Sequence, residues 1–485
     1  MSIEPTRVGI HGKEAIVTND QNNPLIAQFH RQKLAFEGEK HPSLSERKQR
    51  LTALKEALLL HQDALCEAAA KDFGAKHHYE TLLTDILPCI QQIKYTLKHL
   101  KSWMKPERRK TGLVLALSNV RVHPQPLGVI GVIAPWNFPV FMSIGPLITA
   151  LAAGNRVMIK VSEFTPQTNQ VLVKLLKSVF SSELVHIVEG DAAIAAQFSS
   201  LPFDHLLFTG STEVGRKVMQ SAALNLTPVT LELGGKSPVI IAPDMDMNDA
   251  VERLIYGKTL NAGQICVSPD YVMIPEGKAK DFVFAYKHHF GYLYPSGVNC
   301  ESYTSIINQT HFDRLQSWLD EAEQGGAWIE PANKYSIDSS QRKMVTQLVM
   351  DAPEDSQLMQ NEIFGPVLPI VTYQSLDDAI QYVNQRPKPL ALYVFSHDKN
   401  SVNHVLEKTQ SGGACVNDTI LQVVAEDAPF GGVGSSGMGS YHGKEGFLTF
   451  SNQRTVVARK KLYPTRMIHP PFRRIHQLVR KWLLR

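Results

Sequence analysis

The feature that most narrows what this chain can fold into is a rhythm of short apolar strands separated by helical stretches, occurring in two series. The first runs through residues 129–134, 156–160, 185–188 and 205–208, the second through 238–242, 271–274, 367–371 and 392–395. Each run is too short for a helix of its own and too uniformly apolar for a strand with one wet face, which is the pattern of strands covered on both sides. Parallel neighbours need a crossover between them, and the intervening helical stretches supply it. The expectation is two doubly wound α/β domains, and 485 residues at roughly 150 per domain leave room for them and some additions.

The flanks read differently. Residues 1–42 are polar and weakly periodic, and are expected to be a loose extension. Ser43 and Glu46 form a capping box that opens a helix with apolar spacing through Leu51, Leu54, Leu58 and Leu65. Helical spacing continues over 81–103, and then 112–123 turns to a β-like pattern ended by Pro124 and Pro126, as in a ribbon lying between helices. Beyond Arg459 the composition becomes basic. Phe472, Ile475, Leu478, Val479 and Trp482 fall near one helical face with Arg473, Arg474, Arg480 and Lys481 away from it, which suits an anionic membrane surface and equally a helix packed on its own or a partner subunit.

Composition excludes several classes. A balance of 50 basic against 46 acidic residues lacks the concentrated basic face that nucleic-acid binding needs. Cys66, Cys89, Cys266, Cys300 and Cys415 form an odd set without CxxC spacing, so neither a disulfide framework nor a structural zinc site is expected. With no basic and apolar leader at the N-terminus, the expected location is the reducing cytoplasm.

Two glycine-punctuated stretches carry the chemistry: Leu231-Glu-Leu-Gly-Gly-Lys236 and Asn261-Ala-Gly-Gln-Ile-Cys-Val267. A thiol and a carboxylate suffice for covalent acyl chemistry, one attacking a carbonyl and the other activating the water that later releases the acyl group. Cys266 lies in a loop, unlike Cys66 and Cys89 on helical spacing, and backbone amides there can stabilise a thiolate. Asn137 sits between Pro135 and Pro139 directly after a strand, as an oxyanion donor or as an Asx-turn. Lys160 ends a strand with Glu163 three residues on, where a doubly wound sheet binds nucleotide ribose, although a solvated lysine and a capping glutamate would look the same. Gly210, Ser211 and Gly215 follow another strand and open a helix, which suits a pyrophosphate but departs from the GxGxxG spacing and is also a common helix start. Glu362 and Phe364 precede a Gly-Pro turn, offering a carboxylate for sugar hydroxyls and a ring for a flat base; a strand-entry turn is the alternative.

In this order, the set resembles the aldehyde dehydrogenase superfamily from about residue 45 to 460. The resemblance implies an aldehyde dehydrogenase-like fold: a Rossmann-like cofactor domain (43–110 and 128–233), a catalytic domain (234–424), a C-terminal return segment (425–450) and an oligomerisation bridge (111–127 and 451–463), with an extension (1–42) and a basic amphipathic tail (464–485). It implies NAD(P)-dependent oxidation of an aldehyde to the acid, with Cys266 as nucleophile, Glu232 as base and Asn137 at the oxyanion. Cofactor contacts fall on Trp136, Lys160, Glu163, Gly210, Ser211, Gly215, Leu233, Gly234, Glu362 and Phe364. NAD is the implied cofactor with NADP as the alternative, because Val161 stands where many members carry Pro. No metal is implied.

The stretch from Ala428 to Gly443, with Phe447 and Phe450, is similar to the class 3 and fatty-aldehyde branch. Leu206–Ser211, Pro269–Tyr271 and Tyr303–Asn308 are most similar to bacterial coniferyl aldehyde dehydrogenases. The substrate so implied is an aromatic aldehyde, with a long-chain aldehyde as the alternative, and Trp136, Phe138, Phe141 and Phe430 either line its funnel or fill the core. A homodimer is implied, and a C-terminal helix at the funnel mouth, beside the peripheral contact with the inner membrane surface that the tail's own basic pattern suggests. A thiol hydrolase would need a histidine base, and none of the 18 histidines forms a motif with Cys266. A non-catalytic binding protein on the same fold would be expected to lack the thiol or the base.

Overall fold

A computed structural model describes residues 23–112, 115, 118–459, 469–471, 477 and 480–481. Both strand series form, one in each of two sheets. The first sheet has six strands in the order Gly437–Met438, Val229–Glu232, His205–Thr209, Val129–Ile133, Arg156–Lys160, Val185–Val188, all parallel except the short first one. The second has seven, in the order Trp328–Pro331, Gln347–Met350, Val367–Tyr373, Tyr271–Pro275, Pro238–Ile241, Ala391–Phe395, Gly413–Val416, parallel but for the first. Val129–Ile133 and Arg156–Lys160 are buried at every position, as apolar strands covered on both faces must be.

In the first sheet the chain proceeds outward from Val129–Ile133 to Val185–Val188, then crosses back to His205–Thr209 on the other side. The crevice at such a reversal lies at the carboxyl ends of the strands. The loop 134–138 and the turn at Gly210 leave from those ends, and Glu232 ends the next strand over. Gly234, Cys266 and Glu362 each precede a strand of the second sheet, so the carboxyl edge of one sheet meets the amino edge of the other around a single space.

Several expectations need correction. The stretch assigned to a loose extension contains the helix Pro24–Gly38, started by Asn23 as cap and Pro24 at the first turn. Its buried face includes Gln28 and Gln32, whose amides donate to Ser182 and Val157 carbonyls, so the apolar periodicity that would have announced it is interrupted. Leu44–Phe73 forms with both halves of its capping box. The helical stretch after it is broken: His78–Thr81 and Leu87–Trp103 flank a π-helical turn at Leu82–Ile86, because Pro88 cannot donate into a regular ladder. Among the described residues the ribbon strand runs Ser118–Pro126 and pairs antiparallel with Ser451–Arg459 along its whole length. The basic tail lies largely outside the described residues. Among the described residues no helix is long and apolar enough to cross a membrane.

Candidate functional site

A cavity of about 430 Å³ opens where the two sheet edges meet, and Cys266, Glu232 and Asn137 all line it. Its lining also includes Trp136, Gly210, Ser211, Gly234, Glu362 and Phe364. Lys160, Glu163, Gly215 and Leu233 stand outside that lining.

Cys266 is carried by a strained turn. Asn261 and Ala262 adopt left-handed backbone at φ 51° and 52°, followed by Gly263 at 72°. A non-glycine residue held there costs about 1 kcal/mol or more, so the surroundings must over-determine it. They do so with side-chain amides. The Asn261 amide donates to the carbonyls of Asn137 (3.1 Å) and Gln264 (3.2 Å), and the Gln264 amide donates to those of Asn261 and Ser305. The buried ammonium of Lys76 donates to Asn261 Oδ1 at 3.1 Å, lies between Glu80 and Asp85 at 3.9 and 4.0 Å, and sits over the Phe73 and Phe138 rings. Asp85 in turn accepts the backbone amides of Val140 and Phe141 at the start of the helix after Asn137. One chain of polar contacts therefore ties the thiol loop to the asparagine loop. Gly263 is required by contact as well as by φ, since a Cβ there would lie 2.6 Å from the Gly365 carbonyl oxygen, where the loop meets the Glu362–Pro366 motif.

Asn137 is 4% exposed and donates one amide hydrogen to the Gln264 carbonyl at 3.1 Å. The cavity side is left for its second hydrogen, the arrangement an oxyanion donor needs. Glu232 is 3% exposed, and neither carboxylate oxygen has a hydrogen-bond partner among the described residues. Burial pushes its carboxyl well above the usual range. The return segment packs against it: Gly437 pairs opposite Glu232, and a side chain at Gly437 would run into the Leu231 carbonyl.

The Cys266 thiol is pushed up to about 12, first by burial and then by the Glu362 and Glu232 carboxyls. The expected amide stabilisation is present, from the backbone of Cys266 and Val267, but it is outweighed. Glu362 is itself raised to about 8, by burial and next by Asp270, with the Gly235 amide, Lys236 and Arg314 pulling the other way.

Around Glu362 the parts are tied by Asp270, which accepts the Ile363 amide at 2.8 Å and pairs with Lys236. A side chain at Gly234 would collide with the Glu362 carboxylate, so that glycine makes room for the acid. The Trp136 ring packs edge-on to Phe364 (5.4 Å) and against His311 (5.2 Å). His311 and Arg314 also line this end and carried no sequence signal; burial and then Arg314 hold His311 down to about 4. Lys160, 2% exposed, donates to the Val161 carbonyl and lies 3.6 Å from Glu163, at the carboxyl end of its strand. Ser211 caps the helix Thr212–Ala223 through the Val214 amide, and Gly215 lets that helix settle on Leu233. Of the four aromatics considered for the funnel, all line the cavity. Among the described residues no cluster capable of holding a metal occurs.

The model of the aldehyde dehydrogenase family matches residues 17–456. The chain is 49% identical over 464 residues to the probable coniferyl aldehyde dehydrogenase of Pseudomonas aeruginosa, covering 96% of this chain and 97% of that one. It is 44% identical over 420 residues to the coniferyl aldehyde dehydrogenase of a Pseudomonas species, covering 86% and 87%. Among solved structures, AldH of Staphylococcus aureus in a substrate-bound state superposes with a TM-score of 0.91 at 36% identity, over 95% of this chain and 100% of that one.

Proposed function

From the premise that the chain belongs to the aldehyde dehydrogenase family and is an NAD(P)-dependent aldehyde dehydrogenase, we propose that it oxidises an aromatic, coniferyl-type aldehyde through a covalent intermediate on Cys266. The observation that carries this is the convergence of Cys266, Glu232 and Asn137 on one cavity.

The Cys266 thiol gives up its proton to solvent, and the resulting thiolate attacks the aldehyde carbon, forming a C–S bond as the carbonyl pair moves onto oxygen. That oxygen is received by the Asn137 amide and the Cys266 backbone amide. A nicotinamide dinucleotide held at the Gly210, Ser211, Glu362 and Phe364 end would supply the hydride acceptor, and the carbon that gives up the hydride is then left as a thioester on Cys266. Glu232 takes a proton from water, the water oxygen adds to the thioester carbonyl, the C–S bond breaks, and the acid leaves as the thiolate is restored.

The residues at the other end of the cavity fit a dinucleotide. Gly210 and Ser211 begin a helix, whose N-terminus favours phosphate. Glu362 is enclosed beside the small Gly234, with Trp136 and Phe364 offering flat surfaces. Glu163, at the carboxyl edge of its strand, suits a ribose with free hydroxyls better than a phosphorylated one, which favours NAD over NADP.

The aromatic substrate is supported by the names of the relatives and by the ring-lined wall of Phe138, Phe141 and Phe430. Leu421, Val423 and Val424 on the same wall would also suit an alkyl chain, so a fatty aldehyde is the comparison. The chain pairs with a second copy through the ribbon of Ser118–Pro126 and Ser451–Arg459, whose outer strand is exposed from Asn452 onward and presents Val456 and Val457 to solvent. Its five free cysteines suit the cytoplasm, and the basic tail is kept as a peripheral membrane contact.

The test is the absorbance of reduced nicotinamide with NAD and NADP over coniferyl aldehyde, benzaldehyde and decanal, in wild type and Cys266→Ala. Coniferyl aldehyde should rank first with NAD, and the signal should vanish in the variant. Decanal ranking first would overturn the substrate.

A further inference from the structure

Resting on the aromatic-aldehyde reading, one lining residue has no part in the chemistry above. Glu426 lies on the cavity wall in the segment that also carries Val423, Val424 and Phe430. Its carboxyl is half-buried and has no hydrogen bond or ion pair among the described residues. The adjacent Asp427 differs, being engaged by the Tyr95 hydroxyl. The negative charge of Glu426 is felt by the Tyr441 phenol, the Cys89 thiol and the Tyr95 phenol, which puts the carboxyl beside the cavity-lining Tyr441 and the helix Leu87–Trp103. Burial lifts that carboxyl to about 7.

The lining holds two other carboxylates, Glu232 and Glu362, both close enough to Cys266 to raise its thiol. Glu426 is set apart from them in the chain, in the segment that carries Val423, Val424 and Phe430 to the same cavity. A half-buried carboxyl without a protein partner loses its remaining hydration when a substrate fills the cavity, and that costs free energy unless the substrate supplies a partner. An alkyl chain has nothing to offer it, whereas a phenol has an acidic O–H at the end remote from the aldehyde.

We propose that the Glu426 carboxyl accepts the phenolic O–H of a para-hydroxyaryl aldehyde whose carbonyl lies at Cys266, and so selects such aldehydes over otherwise identical ones lacking the hydroxyl. Glu426 is thus a specificity residue, with no role in the C–S chemistry.

The experiment compares kcat/KM for coniferyl aldehyde, its 4-O-methyl ether and decanal in wild type, Glu426→Gln and Glu426→Leu. Wild type should prefer coniferyl aldehyde over the ether by roughly tenfold, the size of one hydrogen bond to an ionisable group. That ratio should fall toward one in Glu426→Leu and to an intermediate value in Glu426→Gln, which keeps an acceptor without the charge. The change should appear in KM, while the coniferyl to decanal ratio falls in parallel. An unaltered ratio in either variant, or a wild type indifferent to the methyl group, overturns the inference while leaving aromatic oxidation intact. A wild type that turns over decanal and neither aromatic aldehyde overturns the aromatic substrate itself, and the hydroxyl preference with it. The wild-type comparison does not depend on either variant folding.

Discussion

Cys266 and Glu232 line the same cavity but are held in contrasting ways. The turn before Cys266 has left-handed backbone at two non-glycine residues, and amides from Asn261 and Gln264 with the buried Lys76 fasten it on several sides. Glu232 closes a regular strand, and its two oxygens have no hydrogen-bond partner among the described residues. The difference follows from what each group is proposed to do. A nucleophile must meet a carbonyl carbon in one geometry, so fixing its backbone lowers the barrier. A base that is to receive a water molecule must keep its oxygens free for it, and being buried and unpaired also raises its proton affinity.

The sharpest way to break this comparison is to loosen the fastened side. Asn261→Ala removes the donors to Asn137 and Gln264 and leaves the Lys76 ammonium without its acceptor. Misplacing the thiol loop by an ångström should lower kcat/KM by on the order of 100-fold, with NAD binding measured by fluorescence titration staying close to that of wild type. A loss below threefold would mean that the strained turn holds itself without those amides.

A smaller effect sharpens the electrostatics. Because the Cys266 thiol is raised to about 12, its alkylation by iodoacetamide in the enzyme without cofactor should climb throughout pH 7 to 9 with no plateau. Glu362, raised to about 8, ionises within that window and holds the thiol up further, so the climb should be shallower than tenfold per unit near pH 8. Glu362→Gln removes that charge; the thiol falls, more thiolate is present at each pH, and alkylation should speed up roughly 3- to 10-fold. A plateau in wild type by pH 8 would show a thiol lowered below its ordinary value and would contradict the raised one.

The strand series were legible because burial on both faces leaves an unbroken apolar run, and in the first sheet 156–160 and 185–188 match to the residue. The helix Pro24–Gly38 was not, since Gln28 and Gln32 interrupt its buried face. At the site, residues marked by neighbouring glycine or proline could be found: Gly263 needs both a positive φ and the closeness of Gly365, and Gly234 clears space for Glu362. Lys76, His311 and Glu426 could not. Each is a single polar residue in an ordinary context, and its importance arises from chain segments brought together only in the fold, as when Lys76 meets Asn261 across 185 positions.

The division of labour between the two groups is tested most directly by mixing Glu232→Gln with NAD and the best aldehyde, then measuring intact mass and reduced nicotinamide in the first turnover. The expected result is one equivalent of reduced cofactor per site in a burst, one acyl adduct mapped to Cys266, and steady turnover lowered by roughly 100- to 1,000-fold. Steady turnover near that of wild type with no adduct would contradict it, and would give the activation of water to a group other than Glu232.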